Sequence, residues 1–130
     1  MGEQRRVPLR NLLLDPDNPR LPADMQGESQ DDLAVHLELG FDALTVAESI
    51  ASHGFFGSEP LIVIANGSLD KWIVVEGNRR LTALLGLVDP AVREQFANPT
   101  PWDSLAGQAS LSMDDLIPVV VLPDRAAATP

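Results

Sequence analysis

The sequence contains no cysteine, and aromatic residues make up only 5% of it. Without cysteine there is no disulfide framework and no thiolate metal site, so a cytosolic setting is the default expectation. No apolar run approaches the roughly 20 residues that a membrane-spanning helix needs. Residues 2–11 lack the apolar core of a signal peptide. We therefore expect a cytoplasmic protein.

Basic residues are also scarce, since nine Lys and Arg face 19 Asp and Glu and give a net charge of −10. Non-specific affinity for nucleic acids comes mainly from Lys and Arg that neutralise phosphates, so this composition argues against a generic DNA-binding surface. No basic residue occurs between Arg20 and Lys71, whereas arginines gather near the N-terminus and at Arg79 and Arg80. The few positive charges are therefore concentrated in two parts of the chain.

A chain of 130 residues with 45% hydrophobic residues is large and apolar enough for one domain with its own core. Both strand-like and helix-like apolar periods occur, which predicts an α/β fold. We expect the domain to cover residues 1–123. Residues 124–130 are typical of a linker tail, and we expect them to lead into the rest of a longer protein.

The pattern of apolar residues and of turn residues predicts the following elements. Strands are expected at about 7–9, 61–65, 71–76 and 117–122. Helices are expected at about 31–39, 42–53, 78–87 and 90–97. Gly40 is expected to end the first helix, and Gly54 the second. Asn66 and Gly67 predict a hairpin turn, and residues 98–115 are expected to be mostly loop, with a turn of helix near 102–105 or 113–116.

The stretch Lys71–Leu87 is the part around which the chain is organised, because a predicted strand passes into a predicted helix at Gly77. The N-terminus of a helix leaves backbone N–H groups unpaired and carries a partial positive charge, so a glycine followed by two arginines favours a phosphate site. The alternative is that Arg79 and Arg80 are simply solvated. Each cation in a first turn opposes the helix dipole by roughly 0.3–1 kcal/mol, which favours an anion between them.

Three stretches resemble one known family. EGNRRLTAL (76–84) resembles the second sequence box of the ParB and sulfiredoxin superfamily, and it is similar to the DGQQRLT box of nucleotide hydrolases from DNA-modification-dependent defence. LLLDPDNPR (12–20) resembles the first ParB box, and residues 47–64 resemble the segment between the two boxes. The resemblance implies a small mixed sheet flanked by helices. It also implies that the first strand lies beside the motif, so that one positive spot sits on an acidic body.

The motif gives each of its residues an expected role if a nucleoside triphosphate binds. Backbone N–H groups of Gly77, Asn78 and Arg79 would face the phosphates. Adjacent helical residues lie about 100° apart, so the two arginines cannot share one face. By its match to the DGQQR form we favour Arg80 as the phosphate clamp, with Arg79 reaching sideways. Thr82 would add a hydroxyl contact or would bond only within its own helix.

The resemblance adds further candidates outside the motif. The proline-rich segment at 15–22 is typical of a surface connector, but its likeness to the first ParB box implies that Asn18 and Arg20 lie near the triphosphate. Gly54, Phe55 and Phe56 correspond to the turn that forms the wall of the base pocket in ParB-like domains. The alternative for the two phenylalanines is that they fill the core.

Glu76 is the candidate for catalysis, because it ends a predicted strand beside the anion site. A carboxylate there would hold Mg²⁺ together with the phosphates, or would position a water. The alternative is that Glu76 only pairs with Arg79 or Arg80. Sulfiredoxin chemistry needs a cysteine that this chain lacks.

These observations favour a module that binds a nucleoside triphosphate, CTP among the candidates, with Mg²⁺. It would act as a switch or a slow NTP hydrolase within a DNA-associated protein of partition or phage-defence type, with other domains contacting DNA. A homodimer is compatible with this view. One alternative is a ParB-like nuclease or DNA-processing domain. Another is a degenerate protein-interaction module that binds no ligand.

Overall fold

The structure is a computed structural model, and it describes residues 2–54, 59–67 and 70–128. The described strands are β1 (Glu3–Pro8), β2 (Leu12–Leu13), β3 (Leu61–Ala65), β4 (Trp72–Glu76) and β5 (Leu116–Val121). The described helices are α1 (Gln30–Phe41), α2 (Ala43–His53), α3 (Asn78–Val88), α4 (Pro90–Arg93) and α5 (Pro99–Gln108). This arrangement confirms the predicted α/β class, a small mixed sheet flanked by helices. No helix in these ranges is long and apolar enough to cross a membrane.

The five strands form one sheet in the order β1-β5-β3-β4-β2. β3 and β4 are antiparallel, as the hairpin turn predicted, and β5 lies inside the sheet between β1 and β3. The first strand does not lie beside the motif strand, because β1 pairs with β5. It is β2 that runs parallel to β4, with Leu12 opposite Trp72. The chain that follows β2 is thereby carried to the end of β4, where the motif begins.

Helix α3 is the central helix of the molecule, and most of its residues are buried. It packs against α1, α2 and α5. Gly86 allows the close contact with α5, because a Cβ at this position would lie 2.5 Å from the ring of Trp102. The ring of Phe96 packs against the same tryptophan with centroids 4.8 Å apart. Helix α5 is thus held against the face of α3 that carries Gly86.

The corner between α1 and α2 was predicted only in part. Ser29 caps α1 by accepting the N–H of Asp32 at 3.2 Å. Gly40 does not end the helix, which continues to Phe41. The turn is made instead by Asp42, whose φ of 54° is left-handed and whose side chain accepts the N–H of Thr45. Gly54 ends α2 with a positive φ, as predicted.

The largest error concerns residues 90–115. The helix expected at 90–97 is only the short α4, and the expected loop contains the ten-residue helix α5. Prolines at 99 and 101 suggested a loop, but both lie in the first turn of α5, where backbone N–H groups lack helical partners anyway. β1 also begins earlier than predicted. A 3₁₀ turn follows it at Leu9–Asn11, and another covers Arg125–Ala128 after β5.

Candidate functional site

The junction between β4 and α3 is built around Gly77. Its φ of 104° and ψ of 20° lie in the left-handed region, and among the described residues no side chain caps the helix that follows. The first helical hydrogen bond runs from the Leu81 N–H to the Gly77 carbonyl at 2.9 Å. The N–H groups of residues 78–80 precede this bond and have no partner within the helix. Their partial positive charge is therefore available at the start of α3.

A cleft of about 140 Å³, which we call the junction cleft, lies at this helix N-terminus. The residues that line it are Asn18, Pro19, Arg20, Phe41, Val75, Glu76, Gly77, Asn78 and Arg79. Six predicted site residues are thus brought together from two distant parts of the chain. Arg80, Thr82 and Gly54 do not line this cleft. Phe55 and Phe56 lie outside the described residues.

Arg79 reaches from the start of α3 to the corner between α1 and α2. Its Nε and Nη2 atoms donate to the backbone carbonyl of Asp42 at 3.3 and 3.1 Å. The side chain is exposed and lines the junction cleft. The pKa of Asp42 is lowered chiefly by the hydrogen bond from the Thr45 hydroxyl, and the charge of Arg79 adds to this effect. The backbone carbonyl of Asp42 therefore holds the Arg79 side chain in place, and the Asp42 carboxylate adds a negative charge nearby.

Arg80 turns to the other side of the helix and donates from Nη1 to the backbone carbonyl of Glu59. It lines a second, wider opening of about 420 Å³, which we call the α2 cleft. The other residues of the α2 cleft are Thr45, Val46, Ser49, Glu59, Gly77 and Arg79. We expected Arg80 to clamp the phosphates and Arg79 to reach sideways. In the structure it is Arg79 that lines the junction cleft, and Arg80 does not. Gly77 and Arg79 belong to both clefts.

The side chains of Asn78 and Thr82 are used inside the fold. Asn78 is 6% exposed, and its Oδ1 accepts the N–H of Asp15 at 3.0 Å while its Nδ2 donates to the Val74 carbonyl at 2.8 Å. The Thr82 hydroxyl is fully buried and donates to the Asn78 carbonyl at 2.8 Å. Of the two alternatives for Thr82, the bond within its own helix is the one observed. Because its side chain is used inside the fold, Asn78 would contact a ligand through its backbone N–H.

Asn18 and Arg20 approach the cleft on the chain that follows β2. Asn18 is 7% exposed, and its Oδ1 accepts the N–H of Arg20 at 3.0 Å. This side chain therefore fixes the backbone from which Arg20 extends. Arg20 and Arg79 supply two positive charges to the cleft lining, and Arg20 itself is exposed to solvent.

Glu76 is exposed at the end of β4 and supplies a carboxylate to the cleft lining. In the described part of the chain neither Arg79 nor Arg80 forms an ion pair with it. The same part contains no group of three His, Asp or Glu residues able to hold a metal ion. A metal at Glu76 would need phosphate oxygens or water for the rest of its ligands.

Sequence reasoning missed three residues of this region. Phe41 lines the junction cleft because α1 runs past Gly40. Asp15 is fully buried behind the cleft and forms a bidentate ion pair with Arg125. The sequence gives no indication that Asp15 is buried, because proline-rich segments are usually exposed to solvent. A lone arginine 110 residues away along the chain gave no indication of its partner either.

No protein family and no curated protein matches the sequence. Among solved structures, a similar one is the C-terminally truncated chromosome-partitioning protein ParB from Caulobacter crescentus, complexed with CTP-gamma-S. The two sequences are 21% identical and the TM-score is 0.47. The similarity covers 97% of this chain and 48% of that one, so this chain spans about half of its length.

Proposed function

We propose that this chain binds a nucleoside triphosphate with its phosphates at the first turn of α3. One observation carries the proposal. Gly77 turns the chain so that a helix N-terminus, which no side chain in the described ranges caps, opens into a cleft lined by Arg20 and Arg79. Unpaired amides and the helix dipole favour a phosphate at this position, and guanidinium groups add charge-assisted hydrogen bonds.

The sizes of the two clefts support a nucleotide over a single small anion. The junction cleft, at about 140 Å³, has room for phosphate groups. Sites for complete small molecules usually measure roughly 300–1,000 Å³, and the α2 cleft, at about 420 Å³, falls within this range. Gly77 and Arg79 line both clefts, so the two clefts adjoin at the α3 N-terminus, and we propose that one ligand extends across both. That Gly54, Phe55 and Phe56 form the wall for the base stays a prediction.

Glu76 gives the site a means of hydrolysis. Its carboxylate is exposed in the same lining as Arg79 and is not neutralised by an ion pair in the described part of the chain. Mg²⁺ bound between this carboxylate and the phosphates would neutralise developing charge on the phosphoryl oxygens. We propose slow hydrolysis there. In a longer protein such a module would serve as a nucleotide switch, with DNA contacted by other domains.

Calorimetric titration with CTP, ATP, GTP and UTP in the presence of Mg²⁺ tests the binding. We expect at least one nucleotide to bind. Arg79→Ala should weaken that binding about tenfold or more, because a hydrogen bond to a charged group contributes roughly 1.5–3 kcal/mol. The matched control is Arg6→Ala, which removes an exposed arginine on β1 and should leave the affinity unchanged. No binding by the unaltered protein at millimolar nucleotide would reject the proposal.

Phosphate release measured with Glu76→Gln separates binding from hydrolysis. Glutamine keeps the size of the side chain but removes its charge, so it binds Mg²⁺ poorly. We expect turnover to be lost while the nucleotide still binds. If the variant hydrolyses the nucleotide at the rate of the unaltered protein, Glu76 has no catalytic role.

A further inference from the structure

Asp15 is a buried charged residue behind the junction cleft, and both of its carboxylate oxygens accept hydrogen bonds. The residue has no exposed surface. Its Oδ2 accepts from Arg125 Nη1 at 2.5 Å, and its Oδ1 accepts from Arg125 Nη2 at 2.9 Å. Oδ1 also accepts the N–H of Asp17 at 2.9 Å. A buried carboxylate is costly unless it is paired, so Arg125 is what allows Asp15 to occupy this place.

The backbone of Asp15 connects this ion pair to the site. Its N–H donates to Asn78 Oδ1, and the Asn78 amide group donates in turn to the carbonyl of Val74 in β4. Asn78 is the first residue of α3, and its amide is one of those at the helix N-terminus that have no partner within the helix. A continuous path of hydrogen bonds therefore leads from Arg125 through Asp15 to the residue at which the helix begins.

The same carboxylate orders the chain that supplies the other wall of the cleft. The bond from the Asp17 N–H to Asp15 Oδ1 forms a local turn, and the Asn18 N–H bonds to the Asp15 carbonyl at 3.3 Å. Asn18 then fixes the backbone of Arg20. Both sides of the cleft, the start of α3 and the segment that carries Arg20, depend on the position of Asp15.

Arg125 lies outside the cleft, since it belongs to the 3₁₀ turn Arg125–Ala128 after β5 and is absent from the cleft lining. This turn contacts β4, the strand that ends at Glu76. The Arg125 side chain is 37% exposed, so solvent reaches the outer face of the ion pair.

We infer that Arg125 is a positioning residue of the junction cleft, and that docking of the 3₁₀ turn and ligand binding at α3 favour each other. The ligand part of this inference rests on the proposed function. Coupling between two sites is reciprocal, so a ligand that needs the ordered cleft also holds Arg125 on Asp15. A partner that pulled the turn away would weaken the site without touching it.

Hydrogen exchange of the ligand-free protein tests the positioning role by itself. Arg125→Ala should speed exchange of the amides of Asp15, Asn18 and Leu21, which are hydrogen-bonded in this segment, by roughly tenfold or more relative to amides of β3. The matched control is Arg93→Ala, which breaks another Arg–Asp pair, with Asp103, away from the cleft. Equal exchange in this segment for both variants would overturn the inference. Arg125→Lys, which keeps the charge, serves if the alanine variant does not fold.

The effect of the ligand on the 3₁₀ turn can be measured first on the unaltered protein. Saturating nucleotide should slow exchange of the Ala127 amide, which is bonded to Asp124 within the 3₁₀ turn, by roughly fivefold or more. Arg125→Ala should weaken nucleotide binding by a similar factor, and Arg93→Ala should not. If a nucleotide binds and the Ala127 amide is unaffected, the coupling is absent. If no nucleotide binds, the proposed function fails, and exchange in the ligand-free protein still decides the positioning role.

Discussion

Replacing Gly77 with alanine tests the geometry on which the site depends. The φ of 104° at this residue is one that side-chain-bearing residues rarely adopt, and such strain costs roughly 1–3 kcal/mol. A Cβ would also lie under 3.0 Å from Cδ2 of Leu61. Leu61 is fully buried in β3 and has little room to move, so overpacking adds roughly 1–3 kcal/mol. We expect Gly77→Ala to lower the free energy of unfolding by about 2–6 kcal/mol, the sum of the two costs.

Urea unfolding followed by tryptophan fluorescence measures this loss, since the chain has Trp72 and Trp102 as reporters. Gly40→Ala is the matched control. Gly40 lies within α1, does not have a positive φ, and has nothing within 4 Å of an added Cβ. Alanine there should stabilise the protein by about 0.5–1 kcal/mol. A loss below about 1 kcal/mol for Gly77→Ala would mean that the backbone at the junction is not held in the left-handed conformation.

Two further predictions concern the neighbours of the junction. Thr82→Val removes a buried hydroxyl that bonds the Asn78 carbonyl, so stability should fall by about 1 kcal/mol with nucleotide affinity unchanged. A calorimetric loss of affinity without a loss of stability would instead place the hydroxyl on the ligand. The lowered pKa of Asp42 stabilises the fold above the carboxyl's ordinary pKa, and this stability is lost as the pH falls through the lowered value. Asp42→Asn should lack this loss in thermal unfolding between about pH 5 and pH 2, and identical pH profiles would contradict the assignment.

The junction was predictable because its signals are local. An apolar strand of β-branched residues, a glycine and a helical period follow one another within 71–87, and the structure places β4, Gly77 and α3 there. The likeness to the first ParB box also led to Asn18 and Arg20, which the structure brings to the same cleft. Pairing of β2 with β4 is what carries that segment to the junction.

Contacts between distant parts of the chain were not predictable in the same way. Which arginine faces the junction cleft depends on the carbonyls of Asp42 and Glu59, which come from separate parts of the fold. The pairing of Asp15 with Arg125 likewise depends on where β5 ends in the sheet. Helix α5 was missed because two prolines suggested a loop, although both lie in its first turn, where proline is tolerated, and Trp102 is buried within the helix.

The contact between Gly86 and Trp102 has a consequence for how the sequence can diverge. The indole fills the space that a side chain at position 86 would need, and Phe96 closes the same space, since its ring would lie 2.8 Å from an added Cβ. Volume can be added at position 86 only if it is removed at both position 102 and position 96. Descendants of this chain that gain a side chain at position 86 should therefore carry smaller residues at the other two positions.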